Sequence, residues 1–263
     1  MKIGRVGIVA HGGKEASVRI GREISDLLAA RDVVVSSEDP DIVLSLGGDG
    51  TMLRAARLAH LADAPLLGIN LGTLGFLTEV DADDVASAIE RVFAGEYQVE
   101  RRMMLECTSS DDGDTCVGLN EILVERSSEH RLVRLEVAIN GEGLAAFNAD
   151  GVIVATPTGS TAYALSAGGP IVSPGAQCLV LVPVSAHMIF SRPFVLSADD
   201  VVEVRVDPTA GRRASLSVDG ADGWELPPGA VVSVRRHRRD LQLVRLSGPR
   251  FLERLRVKLG LPS

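Results

Sequence analysis

The sequence predicts an α/β amino-terminal domain, a parallel sheet flanked by helices, followed by a β-rich, sandwich-like carboxy-terminal domain. The apolar runs near the amino terminus are continuous rather than alternating, as strands covered on both faces require, and segments of helical period separate them. After about Tyr97 the pattern changes to short β-rich runs divided by turn residues. A length of 263 residues accommodates one large domain or two modest ones.

Val6–Ala10 is a short β-branched run, and Lys14–Arg31 places Val18, Ile20, Ile24, Leu27 and Leu28 at helical spacing. Asp41–Leu46 is a second apolar run that ends at glycines. Thr51–Ala62 is helical through Met52, Leu53, Ala56, Leu58 and Ala59. Leu66–Asn70 reads as a strand stopped by Leu71 and Gly72. Asp81–Phe93 begins with acidic residues and ends at Gly95, the chemistry of the two ends of a helix.

Ten strands are expected in the second half. The first five are Met103–Thr108, Gly118–Glu125, Leu132–Ile139, Leu144–Phe147 and Val152–Ala155. The others are Leu179–Pro183, Val201–Val206, Ala214–Val218, Val231–Arg235 and Leu241–Leu246. Turn signals at Asp112-Gly113-Asp114, Asn140-Gly141, Asp150-Gly151, Asp219-Gly220 and Pro227-Pro228-Gly229 separate them. Pro249–Leu259 has the pattern of an amphipathic helix. The domains are therefore expected at 1–97 and 98–246, with 247–263 packing back on the first. No low-complexity linker divides the halves, so the active site is expected in the crevice between them.

A net charge of −8 provides no global positive field for nucleic acid or an anionic membrane, so an anionic ligand must be caught locally. The longest apolar stretch, Cys178–Phe190, is broken by Pro183, Ser185 and His187 and falls short of a membrane-spanning helix. The amino terminus lacks the pattern of a secretory leader, and a cytoplasmic address is expected. Three cysteines without a CxxC spacing exclude a disulfide framework and a cysteine-rich zinc site. The five histidines are scattered, and three Lys stand against twenty-four Arg.

The strongest motif is Gly47-Gly48-Asp49-Gly50-Thr51, set between an apolar strand and a helix. Its glycines let the backbone approach a ligand, and the amides opening the helix suit phosphate oxygens. It is neither a Walker A loop nor GxGxxG. An acidic side chain in such a loop repels its own ligand unless it holds a metal or takes a proton, and both tasks belong to phosphoryl transfer. The bland alternative is an Asp-Gly turn capping the helix at Thr51. A second loop, Gly68 to Leu77, offers Phe76 to a flat base or merely as cover for the sheet.

In the β-rich half, Asn120 and Glu121 are adjacent polar residues within an expected apolar strand, suited to ribose hydroxyls and amides or to a solvated edge. From Asn148 to Pro170 a buried strand, bounded by Asp150-Gly151, leads to a hydroxyl-dense turn that opens a helix near Thr161. Thr156, Thr158, Ser160, Thr161, Tyr163 and Ser166 offer uncharged donors for a diphosphate, ribose or base edge, more than an N-cap alone explains. Asp219-Gly220 reads as a hairpin turn. Arg54 and Arg131 are isolated cations near motifs, and the basic run Arg235–Arg239 reads as a solvated edge or subunit contact.

Taken in order, residues 47–51, 68–79, 119–124 and 150–163 resemble the NAD kinase family over most of the chain. The Gly47–Thr51 motif alone is shared with lipid kinases; the Asn-Glu pair and the Thr156–Tyr163 segment make the resemblance specific. It implies phosphorylation of the adenosine-ribose 2′-hydroxyl of NAD by ATP or polyphosphate. Asp49 is then the general base, and Gly47, Gly48, Thr51 and Arg54 meet the phosphate donor. Gly50, Phe76, Asn120, Glu121, Arg131, Asn148 and Asp150 face the dinucleotide, with Thr158, Thr161, Ala162, Tyr163, Ala164, Leu165 and Ser166. Mg²⁺ is expected to be bound mainly through the phosphates, with no protein ligand assigned. A homodimer or homotetramer is implied. Ala221 departs from the Gln common in bacterial members and leaves the choice between NAD and NADH open. A diacylglycerol- or sphingosine-type lipid kinase and a non-catalytic dinucleotide sensor are the alternatives.

Overall fold

Ile42–Leu46 and Leu66–Asn70 are buried along their whole length, as the continuous apolar runs require of strands covered on both faces. The structure, a computed structural model, describes residues 3–13, 15–72, 75–111, 113, 115–127, 132–186, 192–209, 211–221, 223–246 and 251–261. The chain divides into two units, Met1–Arg102 with Asp240–Ser263, and Met103–Arg239.

The sheet of the first unit runs in the order Val34–Val35, Arg5–Ala10, Ile42–Leu46, Leu66–Asn70, Leu241–Arg245, Gln98–Arg102, with Val80–Asp81 also pairing with Leu66–Asn70. Its pairings are parallel except that of Gln98–Arg102 with Leu241–Arg245. Helices Glu15–Ala29 and Val85–Ala94 bring Ile20, Ile24, Leu28, Val85, Ile89 and Val92 into one core with Ile42, Leu44, Leu67 and Ile69. Each such side chain, fully buried, contributes about 1.5–3 kcal/mol over its exposed state. The Val85–Ala94 helix stops at Gly95, whose φ of 75° is the left-handed conformation expected of a glycine terminator. The third helix, Asp49–Leu61, buries Met52, Ala55, Ala56 and Ala59, and begins two residues before the expected Thr51.

One expected boundary differs. Leu241–Arg245, read as the last strand of the second domain, joins the sheet of the first unit, as does Gln98–Arg102. Apolar periodicity identifies a strand but not the sheet that receives it. Leu241 and Leu243 are as deeply buried here as the strands of either half.

The second unit holds two six-stranded antiparallel sheets. One runs Glu142–Ala149, Val133–Ile139, Val202–Val206, Val231–Arg236, Leu105–Ser109, Thr115–Gly118; the other runs Phe194–Ser197, Cys178–Val184, Gly151–Ala155, Glu121–Arg126, Ala214–Val218, Trp224–Leu226. Leu135, Val137, Phe147, Val204 and Val234 of the first meet Val152, Val154, Leu181 and Leu216 of the second in one core. Ile153, Ala155, Val180 and Val182 face the other way and pack with Ala164 of the four-residue helix Tyr163–Ser166. Gly151–Ala155 is thus covered on both faces, which accounts for its unbroken apolar run. The expected single strand Gly118–Glu125 is two strands in different sheets, and Leu119-Asn120 is the corner between them. Among the described residues no helix is long and apolar enough to cross a membrane.

Candidate active site

In the first unit, Arg5–Ala10 has Val34–Val35 on one side and Ile42–Leu46 on the other, so strand order reverses beside it. Open α/β sheets place ligands at the carboxyl ends of strands flanking such a reversal. The Gly47–Thr51 loop leaves the sheet there. The amide of His11 donates to Leu46 O at 2.9 Å and that of Gly47 to Ile69 O at 2.9 Å, tying the three strand ends together. A Cβ on Gly47 would lie 2.3 Å from Thr51 Oγ1, so only glycine lets the loop close on the buried Thr51. Gly48 caps the helix that starts at Asp49, and Arg54 donates to Ala10 O at 3.1 Å across the reversal. Gly47, Gly48, Asp49, Gly50, Thr51 and Arg54 are therefore gathered at the carboxyl ends of interior strands, at the positive end of a helix.

The Asp49 carboxylate is held on three sides. Phe76 N donates to Oδ2 at 2.9 Å, Leu77 N donates to Oδ1 at 3.1 Å, and Lys258 Nζ lies 3.5 Å from Oδ2. A Cβ on Gly75 would fall 2.3 Å from Asp49 Oδ1, so this glycine makes room for the acid. The two glycine loops are one construction, and Phe76 serves it through its amide as well as its half-buried ring. Sequence reasoning missed Lys258, which comes from the Phe251–Leu259 helix. The available signal was the helical spacing of Phe251, Arg254 and Lys258.

In the second unit, Asp219 sits at φ 53° in the Asp219-Gly220 turn, as expected, and also does more. Its carboxylate accepts the amides of Leu119 at 2.8 Å, Asn120 at 2.7 Å and Glu121 at 3.2 Å. This brace sets the Asn120–Glu121 corner. Thr156 N donates to Asn120 O at 2.9 Å, and a Cβ on Gly159 would lie 2.0 Å from that oxygen. The Thr156–Thr161 turn is thereby packed onto the corner. Three of its hydroxyls also fix the turn itself, donating to nearby carbonyl oxygens. Thr156 Oγ1 donates to Leu119 O at 2.6 Å, Ser160 Oγ to Pro157 O at 2.7 Å and Thr161 Oγ1 to Thr158 O at 3.2 Å. The expected helix near Thr161 is a 3₁₀ turn, Gly159–Thr161, followed by Tyr163–Ser166.

Glu121 is 7% exposed, and its Oε2 is buried without a hydrogen-bond partner. Burial, and then the neighbouring Asp219, push its carboxyl from 4.5 up to about 8. The folded state therefore keeps a proton that the unfolded chain releases in this range. The associated stability is full below pH 4.5 and lost as pH rises through about 8. The thermal midpoint is expected to fall more steeply between about pH 5 and 8 than that of Glu121→Gln. Parallel slopes in calorimetry would contradict the neutral carboxyl.

Asp150 Oδ1 accepts from Arg126 Nε at 2.6 Å. Burial, then Glu125 and Asp150, raise the Tyr163 hydroxyl above its ordinary value, so these groups share one neighbourhood. Asn148 is exposed near the end of Glu142–Ala149; Thr158 and Ala164 are buried, Ala162 and Leu165 half-buried, and Ser166 exposed. Arg131 lies outside the described residues. The structure thus gathers the Gly47–Thr51 motif, Arg54 and Phe76 in one unit, and Asn120, Glu121 and the Thr156–Ser166 segment in the other.

Residues 34–97 match the family model described as ATP-NAD kinase N-terminal domain, and residues 119–246 match that described as ATP-NAD kinase C-terminal domain. An NAD kinase of Heliobacterium modesticaldum is 39% identical, with 97% of this chain and 98% of that protein aligned. A crystal structure of an NAD kinase from Archaeoglobus fulgidus in complex with ATP is similar with a TM-score of 0.78 at 26% identity, covering 98% of this chain and 100% of that one. The crystal structure of yeast NADH kinase complexed with NADH gives a TM-score of 0.92, covering 100% and 89%; at 24% identity this likeness is one of fold.

Proposed function

The chain belongs to the NAD kinase family, and from this we propose that it transfers the terminal phosphoryl group of ATP to the adenosine-ribose 2′-hydroxyl of NAD, with Asp49 as general base. The observation that supports this most is the Asp49 carboxylate held by two loop amides at the switch point, beyond the carboxyl ends of parallel strands.

A ribose hydroxyl is a poor nucleophile at neutral pH, and a positioned base contributes on the order of 10²–10⁴ in rate. Asp49 takes the hydroxyl proton as the oxygen attacks the terminal phosphorus; the bond to the departing diphosphate oxygen breaks, and ADP leaves. Gly47, Gly48, Thr51 and Arg54 hold the donor phosphates through backbone amides, the helix amino terminus and a guanidinium. Gly50, Phe76, Asn120, Glu121, Arg131, Asn148, Asp150, Thr158 and the run Thr161–Ser166 bind the dinucleotide. Glu121, neutral by burial, offers a hydroxyl donor as well as an acceptor, and Asn120 offers an amide.

No cluster of three or more His, Cys, Asp or Glu among the described residues could hold an ion. Mg²⁺ is expected to arrive with the nucleotide, since that ion keeps most of its ligands from phosphates and water. When bound it neutralises phosphate charge. The setting we propose is a cytoplasmic homodimer or homotetramer.

Incubation with ATP, Mg²⁺ and NAD is expected to yield NADP, with polyphosphate and NADH as further donor and acceptor arms. Phosphorylation of diacylglycerol or sphingosine instead, or binding of NAD without turnover, would overturn the reading. Asp150→Ala is expected to weaken dinucleotide binding more than ATP binding in calorimetry, because it also releases Arg126 beside the site. Equal losses would contradict the placement of Asp150.

A further inference from the structure

The Phe251–Leu259 helix lies outside both segments matched by the family models, yet it grips the loop that grips Asp49. Phe251, Arg254 and Lys258 fall on one helical face by their spacing. The Phe251 ring centroid is 6.5 Å from that of Phe76. Arg254, 3% exposed, donates to the carbonyl oxygens of Phe76 at 3.1 Å and of Thr78, and to Glu79 Oε2 at 3.2 Å. The Glu79 side chain is 2% exposed and pairs with Arg245 at 2.9 Å, so the base of this grip is an ionic network with its carboxylate buried. On the next turn, Lys258 Nζ lies 3.5 Å from Asp49 Oδ2 and 4.7 Å from the Phe76 ring centroid.

We propose that Lys258 is a positioning residue for phosphoryl transfer, holding the Asp49 carboxylate and the Phe76 ring in the attitude the acceptor requires; this rests on the reading of Asp49 as base. An acid in a phosphate-binding loop repels the donor, and an ammonium paired with it cancels that repulsion without occupying the other carboxylate oxygen. The loop amides use one lone pair on each carboxylate oxygen; the ammonium lies beside Oδ2, which leaves the second lone pair of Oδ1 to face the acceptor. The pair is 29% and 31% exposed, where ion pairs add little to stability, so its effect belongs in turnover.

Lys258→Met keeps the aliphatic stem over Phe76 and removes the charge. It is expected to lower kcat about tenfold, the scale of a misplaced catalytic group, with the dinucleotide KM within twofold and the melting temperature nearly unchanged. Lys258→Arg is expected to restore most of the loss. In an Asp49→Asn background, Lys258→Met is expected to cost nothing further, because the partner is gone. A kcat within twofold of the unaltered enzyme, a loss carried by KM, or an equal loss in the Asp49→Asn background would each overturn the proposal. If Asp49→Asn alone turns over normally, the base assignment fails first and takes this proposal with it.

Discussion

Asp49→Asn is expected to lower kcat by roughly 10² or more while leaving the dinucleotide KM within a few-fold. The substitution keeps the size and the Oδ1 acceptor of the side chain, so one loop amide retains its partner. The other faces an amide NH₂, and Lys258 loses its counter-charge. The structural cost is that of one mispaired donor, about 1–3 kcal/mol, and falls on the loop rather than on the core. The kinetic cost is different in kind, because an amide cannot accept the hydroxyl proton. Steady-state kinetics with a parallel melting curve separates the two. Near-normal turnover would remove Asp49 as base.

Asp219→Ala carries the second largest expected effect. It leaves the amides of Leu119, Asn120 and Glu121 without their acceptor, at a corner where all three residues are buried. Each orphaned donor costs about 1–3 kcal/mol. At the lower end of that range the three together cost about 3 kcal/mol, which lowers the melting temperature by roughly 6–12 °C. Dinucleotide KM is expected to rise at least about tenfold, since the Asn120–Glu121 corner no longer has a fixed backbone. Asp219→Asn, retaining one acceptor oxygen, should fall between. A melting temperature within about two degrees of the unaltered protein would show that the brace is not structural.

The parallel half of the first unit was legible because its physics is local: Ile42–Leu46 and Leu66–Asn70 had to be covered on both faces, and glycines marked where they stop. The Gly47–Thr51 loop was legible for the same reason. What the sequence concealed are contacts between distant segments. Leu241–Arg245 carries the same strand pattern whichever sheet receives it, and it completes the first unit. Asn120 reads as a strand residue until the sheet corner beside it is seen, and Asp219 as a mere turn until its carboxylate is traced to three amides. The hydroxyl-dense turn carries a second task that its density did not reveal: Thr156, Ser160 and Thr161 donate to nearby carbonyls and fix the turn. For Lys258, beyond the last recognisable motif, the only signal was its helical spacing from Phe251 and Arg254, which names a shared face but not the loop that face meets.

A crystal structure of the enzyme with NAD and a non-hydrolysable ATP analogue measures the central quantity directly, the distance from the nearer Asp49 carboxylate oxygen to the adenosine 2′-oxygen. Proton transfer in place predicts about 2.6–3.2 Å, with the terminal phosphorus on the far side of that oxygen. An acid still bound only to Phe76, Leu77 and Lys258, with the sugar lying elsewhere, would contradict the account.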